Sequence, residues 1–289
     1  MTQPVRQTLT LSCGEELSFL TAGSTHQPAV LLLHGFPSAA HTFRNIMPTL
    51  ASDAWLIAPD LPGFGASDML PSTTFATLAD AVEELLERLA VGPRYIYLHD
   101  FGAPVGLELA MRAPDKVLGL IIQNANAHES GFGPQWAATR AFWNDPTPDN
   151  AKAATAHLTL EGARDQYIAG VPEDLAARIN PAVWQEDWRV MSLPGRLAAQ
   201  RELIADYGRY VARFGAVADH LKARQPPALM VWGRHDSFFA LDETISWMQA
   251  LPRMEAHILD GGHFLLETHA EAASALIGAF IRGAAERPA

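Results

Sequence analysis

The stretch Tyr97-Leu98-His99-Asp100-Phe101-Gly102 joins an apolar run to a helical one across a single tight turn. Tyr95 to Leu98 reads as a strand, Asp100 stands at its end, and Ala103 to Ala113 reads as a helix that Pro114 stops. The same order recurs on both sides. Upstream, Ala29-Val30-Leu31-Leu32-Leu33 is an unbroken apolar run, the pattern of a strand covered on both faces, and it ends in His34-Gly35-Phe36-Pro37. A helix is expected from Thr42 to Ala51. Ala54 to Pro59 is a strand ending at Asp60, a loop with Gly63 and Gly65 follows, and Thr77 to Leu89 has helical spacing. Downstream, Val117 to Ile122, Ala228 to Trp232 and Ala256 to Leu259 read as strands, and Ala270 to Ile281 as a final helix. At the start, Thr8 to Leu11 and Leu17 to Leu20 flank Cys13-Gly14-Glu15 as a hairpin. Strands alternating with helices predict an α/β fold with a mostly parallel sheet flanked by helices.

From Ala127 to Lys222 no core strand is legible. The simplest account is a sheet domain, residues 1–126 and 223–289, split by a helical cap at 127–222. Of the 7 tryptophans, Trp136, Trp143, Trp184 and Trp188 fall in this insertion, as do Tyr167, Tyr207 and Tyr210 of the 5 tyrosines. Substrate choice is therefore expected to lie there.

Composition narrows the classes. The chain has 289 residues, 48% of them hydrophobic and 18% charged, as in an ordinary globular protein. Its net charge of −11 argues against a phosphate-backbone binder, which needs a basic stripe. A lone cysteine, Cys13, permits neither an internal disulfide nor a CxxC zinc site, and reads as a structural thiol. The opening Met1-Thr2-Gln3-Pro4-Val5-Arg6 lacks the apolar run of a signal peptide, and no stretch approaches a membrane span. A cytoplasmic protein without nucleic-acid or membrane partners is expected; the sequence leaves its oligomeric state open.

Asp100, Asp236 and His263 each follow an expected strand. In an open parallel sheet all three face one crevice beyond the strand ends. That is a nucleophile, an orienting acid and a base, in this chain order. Each acid could equally cap a helix there. None of His34, His99 and His235 has metal-ligand spacing, and Gly63 and Gly65 lack the third glycine of a dinucleotide fingerprint.

The stretch around Asp100 resembles the nucleophile elbow of the α/β-hydrolase superfamily, with aspartate where serine usually stands. His34-Gly35-Phe36-Pro37, Asp60-Leu61-Pro62-Gly63-Phe64-Gly65-Ala66-Ser67-Asp68, Trp232-Gly233-Arg234-His235-Asp236 and Gly261-Gly262-His263-Phe264 fit the same superfamily in the same order. Members with an elbow aspartate include epoxide hydrolases, haloalkane dehalogenases and fluoroacetate dehalogenases. The resemblance implies an ester on Asp100, hydrolysed by water that His263 activates while Asp236 orients the imidazole. It also implies oxyanion donors at the backbone amides of Phe36 and Phe101, and no cofactor. One departure is Leu98, where the family usually has a small residue. Some dehalogenases carry the acid after the next strand, but Ile122-Gln123-Asn124-Ala125-Asn126 holds none, which favours Asp236. A serine esterase is disfavoured because no Gly-x-Ser-x-Gly occurs.

Two reactions remain. Dehalogenases aim a tryptophan after the nucleophile, and often an asparagine after His-Gly, at the halide. Here both places are phenylalanine, Phe101 and Phe36, which carry no such donor. Fluoroacetate dehalogenases use arginines near the nucleophile, and Phe101 to Gly106 has none. Epoxide hydrolases use lid tyrosines to hydrogen-bond the ring oxygen. Tyr207 is the first candidate, with Tyr167, Tyr210, His157 or the Phe142-Trp143-Asn144 region for the second donor. Epoxide hydrolysis of a small apolar substrate is the first expectation and haloalkane dehalogenation the second. A non-catalytic binding protein on the same fold is disfavoured by the complete set of three residues.

Overall fold

The hairpin expected at the start forms, with β1 (Val5–Thr10) antiparallel to β2 (Glu16–Ala22) and Cys13 exposed between them. The computed structural model describes residues 3–285. Met1 and Thr2 of the opening segment, and residues 286–289 of the 223–289 segment, lie outside that range.

The apolar runs become β3 (Ala29–Leu33) and β4 (Trp55–Pro59). The helix expected from Thr42 to Ala51 does not form in one piece. A 3-10 turn spans Ala40–Phe43, and a single turn, α1 (Met47–Leu50), follows. Pro48 has no N–H, so it suits only the first turn of a helix, and the two pieces stay separate. α2 (Phe75–Arg88) starts slightly earlier than its spacing suggests, because Thr74 and Thr77 cap its first turn reciprocally. Next come β5 (Arg94–His99), α3 (Gly102–Arg112) and β6 (Val117–Gln123).

Seven helices then precede the next strand: α4 (Ala137–Asn144), α5 (Pro148–Ala154), α6 (Leu160–Ile168), α7 (Glu173–Ala176), α8 (Ala182–Met191), α9 (Arg196–Val211) and α10 (Phe214–Arg224). The sheet resumes with β7 (Ala228–Gly233), α11 (Asp242–Ala250), β8 (Glu255–Leu259) and α12 (Leu266–Ala285). α12 begins before the expected Ala270 and kinks at His269. Among the described residues no helix is long and apolar enough to cross a membrane.

The sheet order is β1-β2-β4-β3-β5-β6-β7-β8, parallel from β4 onward. Alternate residues of the inner strands feed opposite faces. Leu31, Leu33, Ile96 and Leu98 join one core with α2 and α3, whereas Val30, Leu32, Tyr95 and Tyr97 join the other with Phe43, Ile277 and Phe280. α9 is bound to the sheet layer by polar contacts. Arg196 donates to the carbonyls of Gly63, Gly65 and Ser67, Glu202 accepts from the Thr73 N–H, and Asp206 accepts from the Phe75 N–H.

Leu98 fits at a place where the family prefers a small residue because Gly106 on α3 leaves the space. A Cβ at Gly106 would lie 2.3 Å from Leu98 Cδ2. Gly106→Ala is expected to destabilise the fold by about 1–3 kcal/mol in urea unfolding. In a Leu98→Ala background, itself destabilised, the added cost of Gly106→Ala is expected to be smaller. Equal losses in both backgrounds would show that the two side chains do not compete for one space.

Candidate active site

Parallel strands deliver their carboxyl ends to one edge of the sheet. There the structure brings Asp100 from the end of β5, Asp236 from beyond β7 and His263 from beyond β8 together. Asp100 adopts φ 48°, in the left-handed region that side chains with a Cβ avoid. The turn is tight enough to need glycine beside it. A Cβ on Gly35 would lie 2.2 Å from Asp100 Cβ, and one on Gly102 would lie 2.4 Å from the Leu33 carbonyl oxygen.

The Phe36 N–H donates to Asp100 Oδ1 at 2.5 Å. His263 Nδ1 lies 2.8 Å from Asp236 Oδ2. Its other nitrogen, Nε2, is 3.9 Å from Asp100 Oδ2, too far for a hydrogen bond, and is buried without a partner. Asp236 Oδ1 accepts from the N–H groups of Phe238 and Phe239, at 2.7 and 3.0 Å.

Sequence reasoning saw at Asn124 only a missing acid. The structure gives it work. Its Nδ2 donates to Asp236 Oδ2 at 2.8 Å and to the Gly233 carbonyl at 3.1 Å, while its Oδ1 accepts from the Gly233 N–H at 2.9 Å. A polar residue at a strand end, of a type that tolerates its φ of 39°, was the available signal.

Burial and neighbouring charge set the titration. Burial raises the Asp100 carboxyl, against the His263 charge and the N–H groups of Phe101 and Phe36, which hold it down. For His263 burial alone would lower the imidazole, but Asp236 and then Asp100 reverse this and leave it above its ordinary value. Burial pushes His99 well below the usual range and His34 down to about 4. His34 stays a neutral brace, its Nε2 accepting from the Leu61 N–H at 2.9 Å.

A cavity of about 100 Å³ opens over Asp100, walled by Phe36, Phe101, Trp136, His157 and Tyr207. Of the three candidate tyrosines, Tyr207 on α9 is the one that lines it. Its ring is parallel to Trp143 within 9° at 5.8 Å, and its buried hydroxyl has the Asn126 side-chain amide as a polar neighbour but no well-formed hydrogen bond. The other candidates lie elsewhere. The Tyr167 hydroxyl donates to Asp187 at 2.5 Å, and the Tyr210 hydroxyl to the Asn126 carbonyl at 2.5 Å. Trp143 stands behind Tyr207, its indole N–H donating to the Ile204 carbonyl at 2.8 Å. Trp136 lines the cavity, but its N–H donates to the Phe238 carbonyl at 2.7 Å.

Asn124→Ala is expected to leave the Gly233 N–H unpaired and Asp236 one donor short. The stability loss should be about 1–3 kcal/mol in urea unfolding. An unchanged midpoint would show that the bridge carries no load.

A family profile of the alpha/beta hydrolase fold matches residues 28–270. The chain is 31% identical over 262 residues to an uncharacterized hydrolase of Saccharomyces cerevisiae, covering 89% of this chain and 90% of that protein. It is 26% identical over 292 residues to a haloalkane dehalogenase of Bradyrhizobium diazoefficiens, covering 93% and 92%. It is also 28% identical over 269 residues to a soluble epoxide hydrolase of a Corynebacterium species, covering 88% and 89%.

Proposed function

The chain belongs to the α/β hydrolase fold family, and from that premise we propose that it opens epoxides to vicinal diols through an ester on Asp100. In this reading residues 127–222 form a cap over the site. The observation that carries it is the buried Tyr207 phenol, without a well-formed hydrogen bond, on the wall of the cavity that also holds Asp100.

The steps balance. An oxygen of the Asp100 carboxylate attacks an epoxide carbon, that carbon–oxygen bond breaks, and the oxygen takes the Tyr207 proton. Burial holds this phenol well above its ordinary value, so it enters the step protonated. His263 Nε2 then takes a proton from water, and the hydroxide attacks the ester carbonyl. The oxyanion forms where the Phe36 and Phe101 N–H groups point. Collapse expels the diol oxygen, which takes the His263 proton. The regenerated Asp100 carboxyl returns the last proton to Tyr207. The cycle needs only substrate and water.

Halide release is the second reading, and the indole contacts weigh against it. A departing halide needs free N–H donors. Those of Trp136 and Trp143 are already spent on backbone carbonyls.

Turnover in heavy-oxygen water is expected to place label in the Asp100 carboxylate, read by mass spectrometry of the peptide. Unlabelled Asp100 after several turnovers would exclude the ester. Tyr207→Phe should lower kcat on epoxides by about 10²–10⁴-fold; full activity would remove the phenol from the mechanism. The rate of ester hydrolysis should rise with pH through the His263 ionisation, because only the neutral imidazole accepts a proton. Asp236 raises that ionisation, so Asp236→Asn should shift the acid limb of the remaining activity downward. An unshifted limb would mean that another group controls it.

A further inference from the structure

Gln166 on α6 is 5% exposed and lines the same cavity as Asp100 and Tyr207. No hydrogen bond of its side-chain amide is seen among the described residues, and the amide is not among the fully buried unpartnered groups, so it is not sealed from the cavity. The next residue shows the ordinary arrangement. Tyr167, equally buried on the same helix, gives its hydroxyl to Asp187. An accessible amide without a protein partner is free to pair with a bound molecule. The mount is firm, since the Tyr167 ring stacks on Phe264 at 3.9 Å, beside His263. Thr139 on α4, 7% exposed, adds a second hydroxyl to the cavity wall. Around Asp100 itself the walls are the rings of Phe36 and Phe101. The cavity thus offers an apolar surface at the reacting end and an unpaired amide elsewhere on its wall.

We propose that Gln166 determines specificity, and that the substrates are small electrophiles carrying a hydroxyl, carbonyl or amide beyond the reacting carbon. An amide both donates and accepts, so it pairs with any of these groups. This inference rests on the epoxide reading of the site and replaces the apolar substrate that the sequence reading expected.

The test compares glycidol with butylene oxide, in which a methyl group stands where glycidol has its hydroxyl. Gln166→Met keeps the length of the side chain and removes its hydrogen bonding. The kcat/KM ratio of glycidol to butylene oxide should fall about tenfold in this variant, as for one neutral hydrogen bond lost. A parallel arm needs no turnover: binding of cyclopentanol against methylcyclopentane, read by tryptophan fluorescence. The alcohol's advantage should also fall about tenfold in Gln166→Met. If no epoxide is hydrolysed but this advantage exists and depends on Gln166, the epoxide reading fails and the specificity inference stands. If epoxides are hydrolysed and neither ratio responds to Gln166→Met, the specificity inference is overturned and the epoxide reading stands. Melting separates a structural role: removing an unpaired amide should leave Tm at or above that of the parent. A fall of about 4 °C or more would mark the amide as a packing element and overturn the proposal.

Discussion

The left-handed backbone at Asp100 is the constraint on which the site depends. A residue with a Cβ held at φ 48° costs about 1–3 kcal/mol, and it persists only where its surroundings leave no other choice. Here neighbouring segments enforce it. The Asp100 N–H donates to the Asn124 carbonyl after β6, and the Asp100 carbonyl accepts from the Ala103 N–H in α3. Gly35 after β3 and Gly102 at the start of α3 clear the space. The strained turn carries the carboxylate off the sheet edge and into the cavity. The same turn starts α3, and the N–H of Phe101 at its cap holds the Asp100 charge.

Opposite this fixed carboxylate, α9 is anchored by charge and aromatic packing. Arg196, Glu202 and Asp206 bind α9 to backbone groups of the sheet layer, and Tyr207 follows directly after Asp206. Phe75, Phe101, Trp136 and Trp143 surround the Tyr207 ring with centroids 5.0 to 5.8 Å away. Contacts of this kind leave a phenol little rotational freedom. A phenol presented in this way is preorganised, and reaction requires little reordering of it.

The triad was legible because strand ends are legible. Apolar runs of parallel strands are continuous, and a polar residue that ends one must sit at the sheet edge. Asp100, Asp236 and His263 are therefore placed by pattern alone. The lid is harder because helical periodicity tells which face is apolar and not what that face meets. Tyr167 and Tyr207 both read as candidate donors, yet one is spent on Asp187 and the other makes no well-formed hydrogen bond. The partners of Asn124 lie more than a hundred residues away, so its position at a strand end hinted at a role and the pattern could not say which. Pro48 was a local signal passed over, and it divides the expected helix.

The two oxygens of Asp100 are not equivalent, and this orders the chemistry on the proposed route. Oδ1 accepts the Phe36 N–H, while Oδ2 faces His263 Nε2 across 3.9 Å. Attack through Oδ2 leaves Oδ1 as the ester carbonyl oxygen, already seated on its donor. When water adds, negative charge grows on Oδ1, where that donor points and needs no rearrangement. The donor that steadies the resting carboxylate is then better used in the second step, because a tetrahedral oxyanion concentrates the charge that a carboxylate spreads over two oxygens. Burial works in the same direction. It disfavours the free carboxylate, as the raised Asp100 ionisation shows, and so brings the charged ground state closer to a transition state in which that charge is leaving. His263 carries the opposite bias: its neighbouring carboxylates favour the imidazolium that forms when it takes the proton from water. On this proposed route the nucleophile is destabilised before attack and the base is stabilised after it, and the two demands fall separately on Asp100 and Asp236.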